Sequence, residues 1–232
     1  MTGRLFLVPN LLGIVSPEQV LPAATLQAAR AISHWLVETA KPARAFLKAV
    51  DPARPVGGLS IREFANASDI DELLAPLAGG HDVGLLSDAG CPGIADPGAD
   101  VVSAAHARGA RVVPLVGPSS IVLALMASGM NGQRFDFHGY LPAATNERNV
   151  ALRMLEQASQ AEGATQLFIE TPYRNVAMLK SLIETLKPAT RLCVAVDLTL
   201  PTESVISKPM RKWRNARIED YAKRPAMFVV QA

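Results

Sequence analysis

Ten short apolar runs punctuate the chain, and most stretches between them carry apolar residues at three- and four-residue spacing. The runs predict strands over residues 4–8, 34–38, 58–61, 83–86, 111–116, 135–140, 166–170, 192–196, 204–207 and 226–230. Helices are predicted over the alanine-rich residues 17–32, over 69–78 behind a Ser68 cap, and over 97–108, 121–128, 146–161 and 175–186. Such alternation defines an α/β class. Five strand signals precede residues 117–120 and five follow, which divides the chain into two α/β domains, residues 1–117 and 118–232.

Residues 84–128 hold two strand–turn–helix units. The first strand runs into Ser87-Asp88-Ala89-Gly90-Cys91-Pro92-Gly93, the second into Gly117-Pro118-Ser119-Ser120. In an open parallel sheet, ligands bind just outside the carboxyl ends of the strands, and glycines there let backbone come close to them. Asp88 either caps its own turn or accepts a hydrogen bond from a ligand. Ser119 and Ser120 open a helix whose free amides suit a polar or anionic group, with plain capping as the alternative. Asp96, Pro97 and Gly98 read as a helix start, with Asp96 as N-cap and Pro97 at the first position. Cys91 has no cationic neighbour in sequence to lower its pKa and reads as a small wall residue.

A third turn, Glu170-Thr171-Pro172-Tyr173-Arg174, also ends an apolar strand and opens a helix. In the strand over 135–140, Phe137 reads as core, while Gly139 and Tyr140 stand at the strand end. His138 is either a structurally satisfied histidine or a base. Lys208, Arg211, Lys212, Arg214 and Arg217 surround Trp213. That segment is either a solvated helix face or a surface that meets phosphate and stacks a base.

Composition narrows this less than the turns do. A net charge of +2 is too mild to argue for nucleic acid. The two cysteines, Cys91 and Cys193, lie far apart with no histidine at metal-ligand spacing, so neither a disulfide nor a metal site is expected. No apolar run reaches the roughly 20 residues that span a bilayer, and the N-terminus lacks a signal-peptide pattern, so a cytoplasmic protein without a membrane partner is expected.

The ordered runs SDAGCPGIADPG, VVPLVGPSS, ASGM, RFDFHGYLP and IETPYR resemble the tetrapyrrole methylase superfamily, and within it the branch typified by ribosomal RNA small subunit methyltransferase I. The resemblance implies two α/β domains with S-adenosylmethionine as methyl donor in the cleft between them, no metal, and a homodimer. It implies donor contacts at Pro9, Asp88, Gly90, Cys91, Ser119, Ser120, Ile121, Tyr140, Glu170 and Thr171. Substrate contacts fall on Arg44 and Arg174, with Glu38 as base or orienting group, and the acceptor in that branch is a ribose 2′-hydroxyl of ribosomal RNA. The branch pattern of an acidic pair followed by arginines is only partly kept, since Thr39 replaces an aspartate and Lys41 an arginine. Longer members of the branch also continue into a further C-terminal segment beyond the point that matches Ala232. Three readings follow: a methyltransferase for RNA, one for a tetrapyrrole or other small metabolite, and a non-catalytic donor-binding protein. A basic rim around the pocket would favour the first and apolar walls the second.

Overall fold

The computed structural model describes residues 3–64 and 69–232. The chain divides into two compact units, Met1–Ser119 and Ser120–Ala232. In the first unit, β1 (Arg4–Leu7), β2 (His34–Val37), β3 (Ser60–Glu63), β4 (Val83–Leu86) and β5 (Arg111–Pro114) form a parallel sheet in the order β3-β2-β4-β1-β5. Its central strands β2, β4 and β1 are short apolar runs because helices cover both faces, while the edge strands β3 and β5 stay partly exposed. Alternate residues serve opposite faces. Phe6, Trp35 and Leu86 pack under α1 (Pro17–Val20), α2 (Ala23–Ala31) and α3 (Ala40–Val50) with Leu21, Leu26, Phe46 and Leu47. Leu5, Leu36 and Leu85 pack under α4 (Ile70–Ala78) and α5 (Ala99–Ala107) with Leu73, Leu77, Val101 and Ala105.

Three local expectations change. The helix expected over 17–32 is split, because Pro22, which has no amide hydrogen to donate, sits in extended backbone (ψ 151°) as the N-cap of α2. The expected Ser68 cap lies outside the described residues, and Asp69 caps α4 by accepting from the amides of Asp71 and Glu72. The helix expected from residue 97 starts at Ala99, since Gly98 has φ 127°, a conformation that ends any helical run and suits only glycine. Asp96 is therefore not the N-cap.

In the second unit, α6 (Ser120–Ser128), β6 (Phe135–Tyr140), α7 (Thr145–Glu162), β7 (Thr165–Glu170), α8 (Asn175–Thr185), β8 (Arg191–Val196), β9 (Ser204–Pro209), α9 (Met210–Trp213) and β10 (Ala226–Gln231) build a mixed sheet in the order β6-β7-β10-β8-β9. Only the β6–β7 pair is parallel. Phe168 and Phe228 stack at 5.3 Å between ring centres in its core. Phe137, expected in the core, is only half-buried because β6 is an edge strand. Trp213 is fully buried, donates from Nε1 to the Leu192 carbonyl at 3.1 Å, and carries Lys208 Nζ 4.3 Å above its ring. A base cannot stack on an indole so enclosed, so the stacking part of that reading is overturned. Among the described residues no helix is long and apolar enough to cross a membrane.

Candidate functional site

The chain leaves β1 toward β2 and leaves β4 toward β5, so these neighbouring strands send their following helices to opposite faces of the sheet. Diverging connections open a crevice at the strands' carboxyl ends, the usual ligand position in such sheets. Asn10, just past β1, ties its lips together. Its amide donates to the Gly90 carbonyl at 2.8 Å, and its buried side chain donates to the carbonyls of Ser87 and Asp88 at 2.9 and 3.0 Å. Sequence reading missed Asn10, whose bonds span 77 and 78 positions. Gly90 holds φ 67° in this turn. The amides of Ala89 and Cys91 meet no acceptor among the described residues.

Carboxylates crowd the same edge. Glu38 Oε2 accepts from the Asp88 amide at 3.1 Å, and Asp88 Oδ2 accepts from the Thr39 hydroxyl at 2.9 Å. Thr39, the departure from the branch pattern, is thus bonded into the turn. Because its hydroxyl is used there, α3 takes its first cap elsewhere: Glu63 Oε1 accepts from the Ala40 amide at 2.7 Å. Arg44 projects from the exposed face of α3. Pro9 is buried, and its ring lies where a Cβ on Gly117 would sit, 2.4 Å away. Ser119 is half-buried at the end of the first unit.

Asp96 is half-buried, and its carboxyl is pushed up from 3.8 to about 6, first by desolvation and then by the nearby charge of Glu38, with a Ser87 hydrogen bond opposing and Asp88 adding a little. Since the folded chain holds this proton more tightly than the unfolded one, stability falls as pH rises from about 4 to 6 and the loss is complete above that window. Asp96→Asn should therefore flatten this dependence and leave the variant more stable than wild type at pH 8 but not at pH 4. Urea unfolding midpoints at the two pH values check this, and equal shifts at both would rule it out. The Cys91 thiol is raised by burial and points at the Pro118 carbonyl, 3.6 Å away, which suits a wall residue and not a thiolate.

In the second unit, Glu170 ends β7 with its side chain fully enclosed. Its Oε1 accepts from the Thr171 amide at 2.6 Å and from Arg174 Nε at 2.8 Å, while Oε2 is buried without a partner. An acceptor left this way implies a missing donor. Arg174, read as a substrate contact, is held by Glu170 through two nitrogens. Tyr140 is 57% exposed at the end of β6, so its ring is free to meet a ligand, whereas Ile121 is buried on α6 next to half-buried Ser120. His138 Nε2 lies 2.6 Å from Gln166 Oε1, and Gln166 also reaches Asp136, so this histidine is structurally satisfied. No group of three or more His, Cys, Asp or Glu placed to hold a metal occurs among the described residues.

A family model of the tetrapyrrole (corrin/porphyrin) methylases matches residues 20–212. The chain belongs to this family. Ribosomal RNA small subunit methyltransferase I of Pseudomonas aeruginosa is 39% identical over 137 residues, 59% of this chain and 47% of that protein. The enzyme of the same name from Escherichia coli O157:H7 is 35% identical over 158 residues, 66% of this chain and 54% of that one. The chain spans about half the length of the curated relatives it matches. Among solved structures, the methyltransferase CobJ superposes with a TM-score of 0.64 at 19% identity, over 100% of this chain and 95% of that one. Uroporphyrin-III-C-methyltransferase from Thermus thermophilus gives 0.58 at 19% identity, over 100% and 93%. At that identity the likeness establishes the methylase fold and nothing finer.

Proposed function

We propose that this protein is an S-adenosylmethionine-dependent methyltransferase whose acceptor is a ribose 2′-hydroxyl of ribosomal RNA, acting in the cytoplasm. The observation that carries the reading is the crevice past β1 and β4, where Asn10 and Glu38 hold the turn over residues 88–93 in place. Its groups fit the donor. Unused amides at Ala89 and Cys91 suit a carboxylate, and Asp88 suits an ammonium or hydroxyl. In the second unit, considered by itself, the unpartnered Glu170 Oε2 suits an amino group or hydroxyl. Pro9, Gly90, Ser119, Ser120, Ile121, Tyr140 and Thr171 complete the proposed donor contacts. When bound, the donor supplies an electrophilic methyl on a sulfonium, a reaction that needs neither a metal nor a covalent enzyme intermediate.

Within this reading the protein's task is to align the hydroxyl, take its proton and exclude water. Glu38 takes the proton. Asp96, desolvated and beside the charge of Glu38, keeps its proton up to about 6. Arg44 and Arg174 face phosphate, and Thr39, bonded to Asp88, supports a working turn in preference to a decayed one. We propose a homodimer as well, to which the exposed Val122 and Met126 on α6 contribute.

The test is calorimetric titration with S-adenosylmethionine, followed by addition of labelled donor and total bacterial RNA. Donor binding with labelled ribosomal RNA supports the reading. Binding without labelled RNA moves the acceptor to a small metabolite or removes catalysis, and no binding overturns the assignment. In the same assay Cys91→Ser should turn over within about threefold of wild type, because no covalent step is required. Abolished turnover with donor affinity intact would instead make the thiol a nucleophile.

A further inference from the structure

A groove shares Asp88 and Ala89 with the crevice and runs from them along α3, where its other walls lie outside the donor contacts. One wall is Leu11, Leu12, Ile14 and Val15 past β1, the other is Pro42, Ala45, Phe46 and Ala49 of α3, and Asn10 with Asp88 closes one end. Its volume is about 340 Å³, open to solvent along one side. Ile14 is fully exposed and, with the half-buried Leu11, Leu12 and Val15, forms a contiguous apolar wall facing solvent. No lysine or arginine lines the groove, and Asp88 at its end opposes an anion. A ring bearing several carboxylates is therefore a poor occupant, whereas a flat ring with an amino group suits both the walls and the acceptor.

The cations lie alongside. At about 100° per residue around a helix, Lys41, Arg44 and Lys48 fall within a sector of about 60°, and Ala45, Ala49, Pro42 and Phe46 occupy the sector beside it. All three cations are exposed, and none forms an ion pair among the described residues. An apolar slot flanked by a row of free cations is the arrangement that holds a single strand, ring in the slot and phosphates on the row. We propose that this groove seats an unpaired nucleobase of the acceptor RNA, with Lys41, Arg44 and Lys48 on the phosphates beside it. The proposal rests on the RNA methyltransferase reading and adds where and how the strand is held.

Ala49→Trp fills the groove from an exposed helix position, and Ile14→Asp places a charge on the opposite wall at a fully exposed one. Each should keep S-adenosylmethionine affinity by calorimetry and lower labelling of total bacterial RNA by about tenfold or more, the effect of losing one seated base. Ala49→Ser, which leaves the space open, should label RNA normally. For binding of a fluorescent cytidine 12-mer, combined alanine replacement of Lys41, Arg44 and Lys48 should lower the slope of log affinity against log salt by about 2, since each single-strand phosphate contact contributes about 0.7. Undiminished RNA labelling by donor-competent Ala49→Trp and Ile14→Asp overturns the groove while leaving RNA as acceptor. An unchanged salt slope overturns the phosphate row. A wild-type protein that binds donor but labels no RNA overturns both this proposal and the reading beneath it.

Discussion

Glu38→Gln is expected to lower methyl transfer by about 10²- to 10⁴-fold, the usual contribution of a positioned general base, with little change in donor affinity. The reasoning turns on the two jobs its carboxylate does. Oε2 accepts from the Asp88 amide and so fixes the turn over residues 88–93. A glutamine oxygen can accept the same bond, but it cannot take a proton from a ribose hydroxyl. Glu38→Ala removes both functions and should weaken donor binding as well. Single-turnover rates with labelled donor, beside calorimetric donor affinity, separate the two. If Glu38→Gln turns over like wild type while Glu38→Ala loses donor affinity, Glu38 is a positioning residue and the proton goes elsewhere. The carboxyl of Asp96 is then the next group to test, since its value near 6 already lies close to working pH.

The strands were legible because parallel strands covered on both faces read as unbroken apolar runs, and Val83, Gly84, Leu85 and Leu86 are all buried. The turns after β4 and β5 were legible from glycine and proline alone. What sequence could not reveal were contacts between distant segments. Asn10 bridges to residues 87, 88 and 90, Glu63 caps a helix that begins at residue 40, and Thr39 reaches Asp88. None leaves a local periodic signal, and Thr39 in isolation looked like a lost acidic residue. Gly98 is visible in the sequence, but its backbone conformation is not. A glycine two residues after Asp96 fits a helix start, while its positive φ moves that start onward and leaves Asp96 among carboxylates. The basic run around Trp213 misled in the opposite direction, since charge density suggested a surface and the aromatic at its centre is core.

That buried indole carries the second large expectation. Trp213→Ala should destabilise the second unit by about 3–5 kcal/mol, the range for removing a large buried aromatic, which is a sizeable fraction of a typical domain's stability. The side chain is fully enclosed among Leu192, Met210 and Tyr221, with the Tyr221 ring 5.8 Å away. Trp213→Phe should lose less, chiefly the bond from Nε1 to the Leu192 carbonyl, about 0.5–1.5 kcal/mol, because that carbonyl also lies in the β8–β9 ladder opposite Lys208. Chemical unfolding monitored by circular dichroism measures both. The same two variants separate a stacking platform from a core residue. A stacking platform would lose RNA affinity on Trp213→Ala with stability untouched, whereas a core residue loses stability first. The Phe variant, still folded, should then bind the cytidine 12-mer as wild type does.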